Sequence, residues 1–81
     1  MNYDKKLKAA ERLLEVMDTL REKCPWDREQ TYETMRKYVL EEAYEVADVC
    51  PEGGMKLADE LGDLLLQITL LSELGKEDGT F

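Results

Sequence analysis

Leu57-Ala58-Asp59-Glu60-Leu61-Gly62-Asp63-Leu64-Leu65-Leu66-Gln67-Ile68-Thr69-Leu70-Leu71-Ser72-Glu73-Leu74 is the stretch that decides the fold. Its apolar residues recur at intervals of three and four, the period of a helix. Leu57, Leu61, Leu64, Leu65, Ile68 and Leu71 make one wide apolar face, and Leu66, Leu70 and Leu74 add a second ridge. A helix apolar over most of its circumference is expected to be covered from several sides. Between the ridges runs one polar strip, Glu60, Asp63 and Gln67. Ionised side chains walled by leucine are expensive unless something compensates them. Two compensations are open: a bound cation, or Lys or Arg from another helix or subunit. Basic partners are scarce on this helix itself, which carries only Lys56 and the terminal Lys76.

Working toward the N-terminus, Pro51-Glu52-Gly53-Gly54 is a helix breaker, and before it a second helix is expected from about Tyr32 to Cys50. Asp27 or Thr31 would cap it. On this helix Glu41, Glu42, Glu45 and Asp48 fall within an arc of about 120°. Met35, Val39, Ala43, Val46, Ala47 and Cys50 occupy the other side. Taken alone, such an acidic face is an ordinary solvated one. Set against Glu60 and Asp63, it offers the hard oxygen donors that a divalent cation takes.

A first helix is expected from Asp4 to Lys23, with Leu7, Ala10, Leu13, Leu14, Met17 and Leu20 as its stripe. It should end at Cys24-Pro25-Trp26-Asp27, because proline disfavours helical geometry in the residue before it. The third helix runs from about Met55 to Leu74 and should stop at Gly75, leaving Lys76 to Phe81 as a polar tail. Met17, Met35 and Met55 read as packing residues. The sum is one all-α domain over residues 1–81 with three helices. So short a chain is near the lower limit for a self-sufficient core, so oligomerisation is expected.

Composition removes several function classes. The net charge of −8 argues against a general nucleic-acid binder or an anionic-membrane binder. Charged residues punctuate the N-terminus, so no signal-peptide core is expected there. No run approaches the ~18 apolar residues that span a bilayer. Cys24 and Cys50 form neither a CxxC unit nor a framework, which suits a reducing, cytoplasmic setting. The absence of histidine removes Ser-His and Cys-His catalysis and most zinc sites, and Ser72 is the only serine. Carboxylates and a hard metal must carry most of any chemistry.

Three segments in order, Cys24-Pro25-Trp26-Asp27-Arg28-Glu29-Gln30-Thr31, Leu40-Glu41-Glu42-Ala43-Tyr44-Glu45-Val46 and Glu60-Leu61-Gly62-Asp63-Leu64-Leu65-Leu66-Gln67, resemble the MazG-type nucleoside triphosphate pyrophosphohydrolases. The resemblance spans nearly the whole chain. It implies that Glu42, Glu45, Glu60 and Asp63 hold Mg²⁺, or Mn²⁺ in its place, and that Glu41 orients water beside them. It implies hydrolysis of a nucleoside triphosphate to the monophosphate and pyrophosphate, by a homodimer or homotetramer. Members of that family usually continue past the position of Phe81 into a helix with basic residues that help hold the nucleotide. Arg28, Arg36 and Lys37 are candidate replacements for those residues, Trp26 could stack on the base or plug the bundle, and Gln30 could read a base edge. The reading from a different class is a non-catalytic helical oligomerisation or regulatory module that keeps the acidic cluster for metal or partner binding.

Overall fold

The computed structural model describes residues 1–81 and contains helices only: α1 (Asp4–Lys23), α2 (Pro25–Glu29), α3 (Tyr32–Val49) and α4 (Gly54–Asp78). The expected proline break is real but brief. Cys24 is extended (φ −93°, ψ 113°), the geometry a residue before proline favours. Pro25 then opens the five-residue helix α2, a position where its missing N–H costs nothing. The segment expected to be only a break is therefore a helical turn of its own.

Thr31, not Asp27, caps α3. Its side chain accepts from the Thr34 N–H at 3.2 Å, and its own N–H donates to Thr34 Oγ1 at 2.8 Å. That is a reciprocal capping box with threonine in the place more often held by Glu or Gln. Between α3 and α4 the chain reverses at Gly53 (φ 63°) and Gly54 (φ 65°), backbone values that side chains rarely adopt.

At the other end, α4 passes through Gly75 and stops at Asp78, with Gly79 (φ 73°, ψ 19°) as its left-handed cap. Gly75 has a different task from the terminator expected of it. The Phe81 ring lies where a Cβ on Gly75 would stand, and the Thr80 and Phe81 N–H groups donate to the Gly75 carbonyl at 3.0 and 3.4 Å. The last residues thus fold back onto the helix they follow.

α3 packs along α4, while α1 touches α2 and α4. The core is small: Met17 from α1, Met35 from α3, Leu70 and Leu74 from α4, with Tyr38, Leu66 and Leu71 half-buried around them. Met55, expected to pack, is 74% exposed at the start of α4. Leu61, Leu65 and Ile68 are each close to half exposed, as are Leu14 and Leu40. The multi-sided burial expected for α4 is not achieved within one chain, because α3 and α1 reach only part of its circumference. The radius of gyration, 14.0 Å, exceeds the ~12 Å of a compact chain of this length.

One charged cluster ties the layers together. Arg21 of α1 donates to the Asp27 carbonyl (2.7 Å) and carboxylate (3.2 Å) on α2, and to Glu77 of α4 at 2.7 and 2.8 Å. Asp27 is buried, so Arg21 is what keeps its carboxylate partnered there. Arg21→Met should destabilise the fold by about 3 kcal/mol in urea unfolding, since it strands that carboxylate. Glu77→Gln, altering the half-exposed end of the same cluster, should cost under about 1 kcal/mol.

Candidate metal centre

The site lies where α3 and α4 run side by side. Helical spacing puts Glu42 and Glu45 on one side of α3, and Glu60 and Asp63 on one side of α4. Single oxygens of Glu42, Glu60 and Asp63 lie within 4.8 Å of one another. Glu42 is buried, Glu60 half-buried and Asp63 exposed, so the cluster opens from the interior toward solvent. Glu45 is exposed beside it and Glu41 is exposed on α3.

The electrostatics follow from this crowding. Burial, reinforced by the neighbouring Glu45 and Glu60 carboxylates, pushes Glu42 up to about 8. Glu60 is also raised, first by the adjoining Glu45 carboxylate and then by burial. No Lys or Arg forms an ion pair with any of these carboxylates; the ion pairs of the chain lie elsewhere, at Arg21, Arg36 and Lys56. Glu60 Oε2 is buried with no hydrogen-bond partner. Of the two compensations open from sequence, ion pairing within the chain is thus not used. A buried acceptor without a donor, in a set made only of oxygens, fits a hard cation such as Mg²⁺.

Beyond the cluster, one turn toward the start of α3, is an open groove of about 800 Å³ at the α2–α3 junction. Trp26 stands in it at 45% exposure, its ring edge-on to Tyr38 with centroids 5.3 Å apart. Lys37 lies 5.1 Å above the Tyr38 ring, and Arg36 is paired with Glu33 at 3.2 Å. Gln30 also lines the groove, but its amide is engaged at both ends: Nε2 donates to the Trp26 carbonyl at 2.8 Å, and Oε1 accepts from Thr34 Oγ1 at 2.8 Å. Arg28 is exposed on α2 and does not line the groove. Trp26, Gln30 and Lys37 thus share one surface and Arg28 stands apart from it.

Sequence reasoning missed the partnership of Arg21 with Asp27, which holds α2 and with it Trp26. The two residues are separated by a helix break, so no periodic spacing signals the pair.

The facing acidic helices have counterparts in known proteins. Residues 30–81 match the family model of the MazG nucleotide pyrophosphohydrolase domain. The chain is 45% identical over 75 residues to a nucleoside triphosphate pyrophosphohydrolase of Escherichia coli (strain K12), covering 88% of this chain and 28% of that protein. It is 39% identical over 74 residues to the nucleoside triphosphate pyrophosphohydrolase/pyrophosphatase MazG of Thermotoga maritima, covering 88% of this chain and 29% of that protein. A nucleoside triphosphate pyrophosphohydrolase of Mycobacterium tuberculosis matches at 43% over 63 residues, covering 76% of this chain and 19% of its own length. The chain belongs to the MazG nucleotide pyrophosphohydrolase domain family. It spans less than a third of the length of these relatives.

Glu42 gives the metal-free protein a defined pH response. Between the ordinary value of 4.5 and about 8, the folded state keeps a proton that the unfolded chain has released. Stability should therefore fall as pH rises through this window and level off above it. Glu77 acts at the other end: Arg21 holds it below the usual range, so its support is lost only as pH falls further. Melting of the metal-free protein should be lower at about pH 8.5 than at about pH 5.5. Millimolar Mg²⁺ or Mn²⁺ should raise Tm by at least about 5 °C at the higher pH, and by much less at the lower.

Proposed function

We propose that this chain is the metal-binding helical unit of a nucleoside triphosphate pyrophosphohydrolase, one that splits its substrate and water into a nucleoside monophosphate and pyrophosphate. The observation that carries this reading is the convergence of Glu42, Glu60 and Asp63 around a buried carboxylate oxygen that has no donor. The names of its relatives, nucleoside triphosphate pyrophosphohydrolases, agree with it.

Glu42, Glu45, Glu60 and Asp63 would hold Mg²⁺, with Mn²⁺ as an alternative. When bound, that ion neutralises phosphate charge and makes water a better nucleophile. The rest is done by the chain. Glu42 and Glu60 surrender their raised affinity for protons when a cation replaces the proton between them. Glu41, exposed on α3 next to Glu42 in sequence, accepts a hydrogen bond from the attacking water and fixes its approach. Lys37 supplies positive charge to phosphate oxygens, and Trp26 offers a ring face to the nucleoside. Gln30 supports that ring through the Trp26 carbonyl. No histidine and no covalent intermediate are needed for this route.

The working form is an oligomer of this chain, a homodimer or homotetramer. A second copy laid on Leu61, Leu65 and Ile68 would cover the apolar face that α4 leaves open and complete a four-helix packing. Nucleic acid and membrane are not partners of so acidic a surface, and no helix is long and apolar enough to cross a membrane. The cytoplasm, where nucleoside triphosphates are held, is the compartment this reading places it in.

Incubation with a panel of ribo- and deoxyribonucleoside triphosphates and Mg²⁺ should release pyrophosphate and the matching monophosphate. Release of diphosphate and orthophosphate would mean a different cleaved bond, and no turnover would favour a non-catalytic module. Glu42→Gln and Asp63→Asn should each lower kcat/KM by at least about 100-fold without unfolding the chain. Leu65→Lys combined with Ile68→Lys should shift the mass measured by light scattering to that of one chain; an unchanged mass would place the interface elsewhere.

A further inference from the structure

Trp26 also lines a second, smaller space of about 220 Å³. Its walls are apolar, formed by Met17 and Leu20 of α1, Trp26 of α2, and Leu66 and Leu70 of α4. Gln67 also lines it, and Gln67 Oε1 is buried with no hydrogen-bond partner. The acidic side chain on the wall, Asp27, is already committed to Arg21. An unpartnered buried amide oxygen is costly, so one that persists in a folded chain calls for a donor from outside it.

Position narrows the ligand. Gln67 is one turn beyond Asp63 on the same strip of α4, about 6 Å along the helix axis. A nucleotide whose phosphates meet the carboxylate cluster carries its base at roughly that remove. A ribose, rich in hydroxyls, is poorly matched to walls of Met, Leu and Trp. A heteroaromatic base is matched, being apolar on its faces and polar at its edge. The terminal amide torsion is broad and roughly two-fold, so Gln67 can turn either its oxygen or its nitrogen to that edge. Gln30, the amide singled out from sequence for this task, is occupied at both ends by the protein itself.

We propose that the slot between Trp26 and α4 receives the substrate's nucleobase and that Gln67 is the residue that reads its edge. This rests on the pyrophosphohydrolase reading and adds to it a specificity-determining residue. A buried site built to hydrogen-bond a ligand edge discriminates strongly against ligands that leave it unpaired. Gln67 therefore sets which base is preferred.

Trp26 is the only tryptophan, so its fluorescence reports occupancy of the slot directly. Titrations with AMP, GMP, CMP and UMP, and separately with ribose 5-phosphate and with tripolyphosphate plus Mg²⁺, test the proposal. Wild-type protein should show quenching by at least one nucleoside monophosphate and little by ribose 5-phosphate. Gln67→Leu should weaken that monophosphate by about tenfold or more and leave tripolyphosphate binding, followed calorimetrically, unchanged. Its Tm should be unchanged or raised, since it removes a buried acceptor without a donor. Gln67→Met, closer in length, should behave alike and shows whether any loss comes from altered packing. In turnover, both variants should narrow the spread of kcat/KM across bases. Equal monophosphate binding by wild type and both variants, or ribose 5-phosphate binding as tightly as the nucleotides, would overturn the base slot. Tripolyphosphate binding with no monophosphate binding by wild type would overturn the slot and leave the metal-centred reading standing. Binding of neither would overturn both.

Discussion

Everything about this molecule turns on two acidic helix faces brought together against their own repulsion. Glu42 is 7% exposed, and its carboxylate is crowded by Glu45 and Glu60 at the seam where α3 packs along α4. Burial and like charge both favour the protonated form there. The α3–α4 packing holds these groups together: Met35 and Leu70 lock the helices, and Leu66 and Leu71 flank the contact. The apolar core and the acidic seam share one face of each helix at successive levels: Met35 and Glu42 stand two turns apart on α3, as do Asp63 and Leu70 on α4. The first supplies the free energy that the second consumes.

The site is asymmetric around that seam. To one side, Trp26 is presented by α2, a helix too short to hold itself in place. Arg21 holds it, gripping both the carbonyl and the carboxylate of Asp27 while reaching across to Glu77. Trp26 then divides the surface into a polar groove beside Lys37 and an apolar slot beside Gln67. A nucleotide, with its charged tail and flat apolar base, has the same division of character. On the outer side of α4, Leu61, Leu65 and Ile68 remain half exposed. The single chain brings its carboxylate seam together but leaves apolar surface uncovered, which is why assembly belongs to the proposed working form.

Much of the fold was legible because helices announce themselves locally. The leucine periodicity of 57–74 placed α4, Pro25 placed the end of α1, and the Gly53-Gly54 pair placed the reversal between α3 and α4. Errors arose where a residue's role depends on a distant neighbour. Gly75 looked like a terminator because glycine commonly is one; it is helical, and small because Phe81 returns to cover it. Met55 looked like core by its spacing, but nothing packs over the start of α4. Asp27 looked like a cap; it is the buried partner of an arginine on the preceding helix.

The sequence by itself determined that the chain is helical, that its carboxylates pair at helical spacing, and that without histidine carboxylates must carry most of any chemistry. Those properties follow from residue type and period, which need no knowledge of what lies opposite. Tertiary structure alone decided which carboxylates converge: Glu42, Glu60 and Asp63 meet, while Asp48, on the same acidic arc, stands outside that group. It alone decided that the Gln30 amide is spent on the helix junction and the Gln67 oxygen is left without a donor. The physical reason is that hydrogen-bond satisfaction and desolvation belong to pairs of groups from different elements, and a pair exists only once the helices have packed.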